Sequence, residues 1–426
     1  MSIAAKLYNT LLLNRIRDKL DAKLRVNQAG YRRGRGCSEH VHVLRRIFEG
    51  CDLKNLPLVA VFVDFKKAFD SIDRNIMFKI LRHYGVPEQI TNAIRLLYEG
   101  TRSAVIIDGQ ITDVFDVITG VLQGDVLAPY LFIVVIDWVM INANIDDLGF
   151  ITHKRQSSRF PEEKVGDLEY ADDIGLLENE VDNAQRQLDA LAGVAKEVGL
   201  GINIDKTKVL TKNIEPKPEI KLDETVLEVV DDFQYLGAWV NDTMKDFKHR
   251  RAKAWTAFWK LKRIWDSNAD IKLKIKFFNA SVLSVLLYAT ETYVINAALQ
   301  NQINAFQTQC LRIILNISKD EHVRNDYIYE QTNTKPLMQR VTKTQLSFLG
   351  HSIRRNKNDL IQQYCLYVPK HGQRSRGRQK TTYQQHIAKT IYDDAMIEEK
   401  VMREAANDRV EWRKIVKVAS RFFDNG

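Results

Sequence analysis

Apolar residues along this chain follow two spacings, one typical of buried strands and one typical of amphipathic helices. Continuous apolar or β-branched runs predict a strand at 59–63, a strand–turn–strand unit at 167–177 and a strand pair at 229–240. A hairpin is expected at 103–115, where Asp108-Gly109 favours a tight turn. Helical spacing predicts helices at 3–25, 71–84, 87–99, 180–198 and 272–294, and after Tyr130 and Met244.

Three acidic residues lie at the ends of these predicted strands. Asp64 ends the strand 59–63, and Asp172 and Asp173 lie side by side in the predicted turn of the strand–turn–strand unit. Ser71, rather than Asp64, is the expected cap of the helix that follows. Neighbouring carboxylates repel each other and are costly to bury unless a cation neutralises them. An Asp pair alone is most often a solvated turn, but three carboxylates on two strand ends match the ligands of a two-metal site for phosphoryl transfer.

The composition is that of an ordinary globular protein, but the charge is unevenly distributed. The chain has 426 residues, of which 45% are hydrophobic and 27% charged, and its net charge is +9. Lys+Arg and Asp+Glu number 11 and 4 in residues 1–50, 19 and 32 in 51–240, and 33 and 18 in 241–426. An acidic middle between basic ends is expected of a metal-centred core with nucleic-acid-binding flanks. The alternative is that the basic helices are only solvated faces.

The cysteines and the apolar runs indicate an intracellular protein without a membrane span. The four cysteines, Cys37, Cys51, Cys310 and Cys365, have no zinc-finger spacing, and His351 and His371 do not supply one. No secretory leader precedes the cysteines, so we expect reduced thiols. The longest apolar run, 126–141, is interrupted by Asp137 and is shorter than the roughly 18–20 residues that a membrane span requires.

The order of these segments resembles that of reverse transcriptases. Phe62 to Asp70, Gly120 to Gly124 and Tyr170 to Asp173 resemble motifs A, B and C; Asn203 to Lys208 resembles motif D; and Phe233 to Gly237 resembles the primer grip. Asn27 to Arg35 resembles the segment before motif A in non-LTR (LINE-type) retrotransposons and group II intron proteins. Leu349 to Arg355, Gly372 to Lys380 and Asn407 to Arg413 resemble segments near the end of LINE-type polyproteins, and they favour the LINE type.

The resemblance implies an α+β right-hand polymerase that synthesises DNA on an RNA template. Asp64, Asp172 and Asp173 would hold two Mg²⁺ ions, for which Mn²⁺ could substitute. The partners would be template RNA, a DNA primer or target, and dNTPs, within a ribonucleoprotein in the nucleus or cytoplasm. The expected domains are residual fingers at 1–57, a palm at 58–243, a helical thumb at 244–300 and a basic C-terminal region at 301–426.

The resemblance also assigns roles to single residues. Phe69 would lie under the incoming sugar and exclude a 2′-hydroxyl, although core packing is the alternative for this ring. Lys206 would protonate the leaving pyrophosphate, although surface lysines are common. The remaining expected substrate contacts are Phe65, Gln123, Gly124, Tyr170 and the three arginines Arg32, Arg33 and Arg35, and the expected primer grip is Tyr235, Leu236 and Gly237.

Beyond Met244 the chain becomes basic and aromatic. Lysines and arginines interleave with Trp255, Trp259 and Trp265 at helical spacing, which favours core positions for the tryptophans over base-stacking platforms. The basic face suits a thumb that binds the duplex backbone, with affinity that falls steeply with salt. The Arg/Gly/Ser run at 372–380 is expected to be a mobile basic segment that contacts RNA or DNA.

The chain begins after the position at which related elements carry an endonuclease and finger strands, so we expect either a truncated copy or a gene model that begins at an internal Met. Shortened fingers would lower nucleotide affinity and processivity. The alternative function is therefore an inactive retroelement remnant, or a maturase-like RNA-binding protein. A metal-dependent nuclease would need further acidic or histidine ligands, which the sequence does not offer.

Overall fold

The structure is a computed structural model that describes residues 2–143, 145, 147–377 and 380–421. Its residues fall into two compact units. Unit 1 contains residues 1–40, 54–236 and 369–374, and unit 2 contains residues 41–53, 237–368 and 375–426. The units divide at 236/237, close to the expected end of the palm, whereas the finer four-domain division stays a prediction.

Unit 1 is built on a five-stranded sheet whose strands occur where the apolar runs predicted them. Its strands, in spatial order, are Glu228–Val230, Lys208–Lys212, Leu58–Val63, Asp173–Glu178 and Asp167–Tyr170. Neighbours are antiparallel except Lys208–Lys212 and Glu228–Val230, which are parallel. The central strand, Leu58–Val63, is buried at every position, which is why its sequence is continuously apolar.

Among the described residues of unit 1, six helices accompany this sheet, and their apolar side chains join one core with it. They are Ile3–Asp21, Ala68–Ser71, Arg74–His83, Glu88–Tyr98, Ala128–Asn142 and Val181–Glu197. The expected cap Ser71 is wrong, because Asp73 caps the helix Arg74–His83 by accepting a hydrogen bond from the Ile76 N–H at 3.0 Å. The first helix buries only part of its apolar surface, since Leu7 and Leu11 are exposed.

Short strands make up the remainder of the β-structure. The hairpin near 103–115 is confirmed as two ladders, Arg102–Ser103 with Phe115–Asp116 and Ile106–Ile107 with Gln110–Ile111. Its turn residues Asp108 and Gly109 both have positive φ, as a tight hairpin turn requires. The other short strands are Phe150–His153 with Glu163–Val165, Lys221–Leu222 with Thr225–Val226, and Gln234–Tyr235 and Ala238–Trp239.

Unit 2 is helical, as the spacing beyond residue 244 predicts. The helix Cys37–Lys54 contributes residues 41–53 to it. The other helical segments are Thr243–Lys260, Lys262–Trp265, Ile271–Phe277, Phe278–Leu283 (a π-helix), Ser284–Leu286, Thr290–Thr292, Ala297–Ile314, Lys319–Glu321, Asn325–Thr332, Leu337–Ile353, Leu360–Tyr364, Tyr383–Tyr392, Glu399–Asn407 and Arg409–Ala419. The single helix expected at 272–294 is therefore wrong beyond Leu286.

The tryptophans expected in the core divide into two kinds. Trp265 is buried and stacks on Phe258 at 5.1 Å, so the core interpretation is confirmed for it. Trp259 is 50% exposed, so the same interpretation is wrong there. Trp255 is half-buried and packs edge-on against Phe306 at 4.9 Å.

The C-terminal segments are part of the packed structure of unit 2. Tyr383 is fully buried, and its backbone N–H donates to the Glu49 carboxylate at 3.0 Å. The Ser375 N–H donates to the Leu53 carbonyl at 3.2 Å, so the mobile segment expected at 372–380 is wrong at this residue. Residues 378 and 379 of that expectation lie outside the described residues.

Within the described ranges, no helix combines the length and the apolar character that crossing a membrane would need.

Candidate active site

The three predicted acids meet at one end of the central sheet. Asp167–Tyr170 and Asp173–Glu178 form a tight hairpin, hereafter the acidic hairpin, in which Tyr170 pairs with Asp173. The strand Leu58–Val63 lies alongside it, with Val63 opposite Ile174. The two strands are antiparallel, so the residue after Val63 lies opposite the residue before Ile174. This register places Asp64 beside Asp173. The hairpin turn supplies Asp172.

Burial, together with the negative charges of the neighbouring acids, raises the pKa of Asp172 and Asp173. Partial burial raises the pKa of Asp173 to about 6, with the charges of Asp172 and Asp64 adding to the effect. Burial, followed by the charge of Asp64, raises the pKa of Asp172. A site that disfavours its own negative charge in this way is stabilised when a cation is bound.

Asp64 is fixed through its backbone and leaves one carboxylate oxygen unbonded. Its N–H donates to the Thr207 hydroxyl at 3.2 Å, and its carbonyl accepts from the Asn203 N–H at 2.7 Å. Its Oδ2 is buried and accepts no hydrogen bond from the described residues. The Lys206 ammonium forms an ion pair with this oxygen. Its Nζ lies 3.8 Å from the Asp64 Oδ2, on a side chain that is 69% exposed.

The acids fit a hard divalent cation by donor type and by charge. Carboxylate oxygens are the ligands that Mg²⁺ and Mn²⁺ prefer, and the Asp64 Oδ2 is a buried acceptor without a donor. As the side chains stand, no three carboxyl, imidazole or thiol groups of the described residues converge closely enough to hold one ion.

Phe69 lies between two other aromatic rings. One face stacks on Phe132, with centroids 4.2 Å apart and an interplanar angle of 14°. Tyr31 meets the same ring edge-on at 6.3 Å. Burial, followed by the charges of Asp172 and Asp173, raises the pKa of the Tyr31 hydroxyl, which places Tyr31 in the field of the acids. Phe69 is half-buried, so its ring is both packed and accessible.

The glycine-flanked loop Gly120 to Gly124 docks on the backbone near Phe69. The Val121 N–H donates to the Phe69 carbonyl at 2.7 Å, and the Gln123 amide donates to the Asp70 carboxylate at 2.8 Å. Gly120 has φ +75, and a Cβ at this residue would lie 2.5 Å from the Asp70 Cα. Gln123 and Gly124 are exposed beside this contact. Asp70 therefore orients Gln123, a role that motif spacing did not indicate.

The side chains of two residues expected to contact substrate, Arg32 and Phe65, are buried within the protein instead. The Arg32 guanidinium is buried and donates to the Asp21 carboxylate at 2.7 Å and to the carbonyls of Asp21, Arg25 and Gln28. With these donors engaged, Arg32 is not available for a phosphate, and we correct that expectation. The Phe65 ring is 5% exposed and belongs to the core, so it is not a substrate contact.

The other two arginines differ from Arg32. The Arg33 side chain is 70% exposed, with Asp18 at 3.9 Å. The Arg35 guanidinium donates to the Val26 carbonyl at 2.6 Å. Arg33 is thus accessible to an anion.

The residues expected in the primer grip form a turn with a buried anchor. Tyr235 is 2% exposed, and its hydroxyl lies 3.1 Å from the Leu168 carbonyl and 3.4 Å from that of Asp173. Its side chain thus supports the acidic hairpin and does not face a ligand. Leu236 and Gly237 both have positive φ, +47 and +75, and the Gly237 carbonyl accepts a hydrogen bond from the Arg250 guanidinium.

Sequence reasoning missed four residues around the acidic hairpin. The Gln28 side chain contacts the turn of this hairpin, and the Tyr31 ring contacts Phe69. Arg25 forms ion pairs with Asp167 and Glu169. Cys37 is hydrogen-bonded to Tyr170. Burial and the Cys37 contact raise the pKa of Tyr170. Their positions follow no local periodicity, and only the resemblance of the whole segment 27–35 drew attention to two of them, Gln28 and Tyr31.

Comparison with known proteins decides the family. The model of the reverse transcriptase (RNA-dependent DNA polymerase) family matches residues 1–240, which is more than half of the chain. This chain belongs to that family. The predicted enzyme class, an RNA-directed DNA polymerase and hence a nucleotidyltransferase, is confirmed, as is the α+β right-hand polymerase fold. Reverse transcriptases generally use divalent metal ions and bind a nucleic-acid template.

Two relatives indicate the type of reverse transcriptase. The chain is 28% identical over 239 residues to the retrovirus-related Pol polyprotein of the type-2 retrotransposable element R2DM of Drosophila melanogaster, covering 53% of this chain and 20% of that protein. It is 25% identical over 327 residues to the RNA-directed DNA polymerase from the mobile element jockey of Drosophila funebris, covering 72% and 34%. The non-LTR prediction is confirmed. The chain spans a fifth to a third of the length of these relatives.

One solved structure resembles the chain more distantly. The apo telomerase of Candida tropicalis is 13% identical, with a TM-score of 0.41, covering 97% of this chain and 61% of that chain. At this TM-score the likeness adds no argument to the family assignment.

Proposed function

We propose that this chain extends the 3′-hydroxyl of a DNA primer on an RNA template, using two Mg²⁺ ions held by Asp64, Asp172 and Asp173. The observation that carries the proposal is the register of the central sheet, which brings Asp64 beside Asp173 at the turn that supplies Asp172. The raised pKa of Asp173, about 6, supports it. Mn²⁺ offers the same preference for oxygen ligands and can substitute.

The bound ions would supply Lewis acidity for the primer hydroxyl and for the departing pyrophosphate. The chain's own residues supply charge, orientation and selection. The Lys206 ammonium, 3.8 Å from the Asp64 carboxylate and exposed, is placed to give a proton to the pyrophosphate oxygen. Phe69, held between Phe132 and Tyr31, excludes the 2′-hydroxyl of a ribonucleotide.

Substrate positioning falls to the loops around the acids. Gln123 and Gly124 lie on the exposed side of their loop and contact the incoming base pair. Tyr170, at the start of the turn, lies beside the nucleotide. The accessible Arg33, with Arg35, contacts template or triphosphate phosphates, and the backbone of Leu236 and Gly237 positions the primer end.

Unit 2 offers a surface for the duplex backbone. A cavity of about 340 Å³ lies between the helices Thr243–Lys260 and Ala297–Ile314 and is lined by Lys248, Arg251 and Trp255, among others. Two cations beside a half-buried aromatic ring suit phosphate and sugar groups. Since RNA and dNTPs are intracellular, we also propose that the protein acts inside the cell as a ribonucleoprotein with its template.

Primer extension tests the proposal. On a poly(rA) template primed with oligo(dT), with dTTP and Mg²⁺ at low salt, the wild type should extend the primer. Asp172→Asn should lower the rate by at least about 10⁴-fold, as loss of a group acting on the reacting atoms does. The matched control is Asp113→Asn, an exposed acid in the hairpin near 103–115, which should extend like the wild type. If wild type and Asp172→Asn only bind RNA, with equal salt dependence and no extension, the polymerase proposal is wrong.

A further inference from the structure

A short segment upstream of the central sheet pairs with the outer strand of the acidic hairpin. The Ala29 N–H donates to the Glu169 carbonyl at 2.8 Å, and the Glu169 N–H donates to the Asn27 carbonyl at 3.2 Å. Gln28 and Glu169 accordingly form a parallel bridge. The segment Asn27 to Tyr31 therefore continues the sheet next to the strand that leads into the turn.

The Gln28 side chain ends on the backbone of that turn. Gln28 is fully buried. One atom of its side-chain amide accepts hydrogen bonds from the Ala171 N–H at 2.9 Å and from the Gly30 N–H at 2.7 Å. Two N–H donors identify this atom as the amide oxygen. The amide nitrogen lies 3.3 Å from a Glu169 carboxylate oxygen, to which it donates. Both polar atoms of the amide are thus engaged in hydrogen bonds to the backbone or to Glu169.

Ala171 is the residue of the turn that most needs such support. It has φ +56, a left-handed conformation that is strained for a residue with a Cβ. Strained residues of this kind persist where the surroundings over-determine them. Because Ala171 directly precedes Asp172 and Asp173, the hydrogen bond that holds its N–H also sets the direction in which both carboxylates leave the backbone.

Gly30 brings the same segment into direct contact with the turn. A Cβ at Gly30 would overlap the Ala171 nitrogen and lie 3.0 Å from the Ala171 Cα. By contrast, a Cβ at Gly36, a few residues further along, would meet no described atom within 4 Å. The close approach is thus specific to Gly30 and is not a general property of this glycine-containing stretch.

Gln28 is itself held by a buried ion-pair network. Glu169 and Asp167, on the same face of their strand, accept from the two ends of the Arg25 guanidinium, each at 2.6 Å. Both acids are nearly inaccessible to solvent. The network fixes Glu169, Glu169 orients the Gln28 amide, and the amide oxygen points at Ala171.

We propose that Gln28 is a positioning residue for the metal-binding acids, which holds the Ala171 N–H and thereby sets the affinity of Asp172 and Asp173 for a divalent cation. The proposal rests on the proposed function. Gln28 touches neither substrate nor ion, and its effect is transmitted through the turn backbone alone. Groups that orient metal ligands from behind change metal affinity by about 10- to 100-fold when they are removed.

Binding of Mn²⁺ alone, measured by electron paramagnetic resonance on the full chain without nucleotide or nucleic acid, tests this. Gln28→Leu and Gly30→Ala should each weaken Mn²⁺ binding by about 10- to 100-fold. Gln28→Glu keeps an oxygen acceptor for the Ala171 N–H, and because burial favours the protonated form of a carboxyl, the new carboxyl and Glu169 share a proton. This variant should bind Mn²⁺ more tightly than Gln28→Leu. In primer extension, Gly30→Ala should lower kcat and leave the KM for dTTP nearly unchanged.

Three controls separate the outcomes. Gly36→Ala and Gln307→Leu, the latter a buried glutamine of unit 2 that donates to the Lys335 carbonyl, should bind Mn²⁺ like the wild type. Asp172→Asn should lose Mn²⁺ binding, and if it does not, the proposed metal site itself is wrong. If Asp172→Asn loses binding while folded Gly30→Ala or Gln28→Leu retains wild-type affinity, the positioning role alone is overturned. Should Gln28→Leu not fold, Gly30→Ala still decides.

Discussion

Phe69 shows how a motif residue depends on a neighbour that the motif does not name. Its position five residues after Asp64 is visible in the sequence, but the ring is held from one side by Phe132 and from the other by Tyr31. Tyr31 has φ +54, an uncommon conformation that directs its ring toward Phe69. The proposed selectivity of the site for deoxyribonucleotides would therefore depend on three rings.

Replacing Tyr31 should loosen that selectivity without abolishing synthesis. An edge-to-face aromatic pair contributes about 0.5–1.5 kcal/mol, so Tyr31→Ala should lower the preference for dTTP over UTP by up to about tenfold. Tyr31→Phe keeps the ring contact and should retain the preference. Competitive incorporation of dTTP and UTP measures it, with Tyr8→Ala on the first helix as the control, since Tyr8 is also an exposed tyrosine. An unchanged preference in Tyr31→Ala would remove Tyr31 from this role.

At the scale of elements, the loop Gly120 to Gly124 and the short helix Ala68–Ser71 behave as one piece. The Gly120 N–H donates to the Ile72 carbonyl at 2.8 Å, and the Arg74 guanidinium donates to the Gly120 carbonyl at 2.9 Å. These bonds join the loop that carries Gln123 to the backbone that carries Phe69. The base contact proposed for Gln123 and the sugar selection proposed for Phe69 would thus be mechanically linked.

Gly120→Ala should disturb both functions. Gly120 and Gly109 share the left-handed conformation, with φ +75 and +82. A Cβ at Gly120 would lie 2.5 Å from the Asp70 Cα, whereas a Cβ at Gly109 would have no described atom within 4 Å. Gly120→Ala should therefore lower the free energy of unfolding by about 1–3 kcal/mol more than Gly109→Ala and should raise the KM for dTTP. Thermal unfolding and steady-state primer extension measure the two effects. Equal losses in the two variants would contradict a close contact at Gly120.

At the scale of the whole molecule, buried titratable groups couple stability to pH. His40 is 3% exposed, and burial, with the charge of Arg35 adding to it, lowers the pKa of His40 to about 3. The folded protein therefore carries a neutral His40 at pH values where the unfolded chain, with a pKa near 6.5, binds a proton. Between about pH 6.5 and 3 the unfolded state gains that proton and the folded state does not, so stability falls as the pH falls.

The expected slope is about 1.4 kcal/mol per pH unit for one such histidine. His40→Gln should lower the pH dependence of the unfolding free energy by about one proton across pH 4–6 and leave it unchanged above pH 7. Urea unfolding followed by circular dichroism at several pH values measures this. His83→Gln, an exposed histidine of unit 1, is the control. A variant whose slope equals that of the wild type would show that His40 is protonated in the folded protein.

The sequence alone determined the elements, the acids and the family resemblance. Strand and helix periodicities depend on residues two to four positions apart, so Leu58–Val63 and Asp167–Glu178 could be predicted from the pattern. The placement of Asp64, Asp172 and Asp173 at strand ends followed from the same pattern. The family motifs are also local strings, and family comparison confirmed the family and the enzyme class that they imply.

Only the tertiary structure decided which side chains serve the site and which serve the fold. Arg32 and Arg33 are adjacent and chemically identical, yet Arg32 is committed to Asp21 and backbone carbonyls while Arg33 is exposed. Gln28 lies 143 positions before the Ala171 N–H that it binds. Such partners are chosen by packing between distant segments, where the burial of each polar group requires a hydrogen bond, and no local periodicity records that choice.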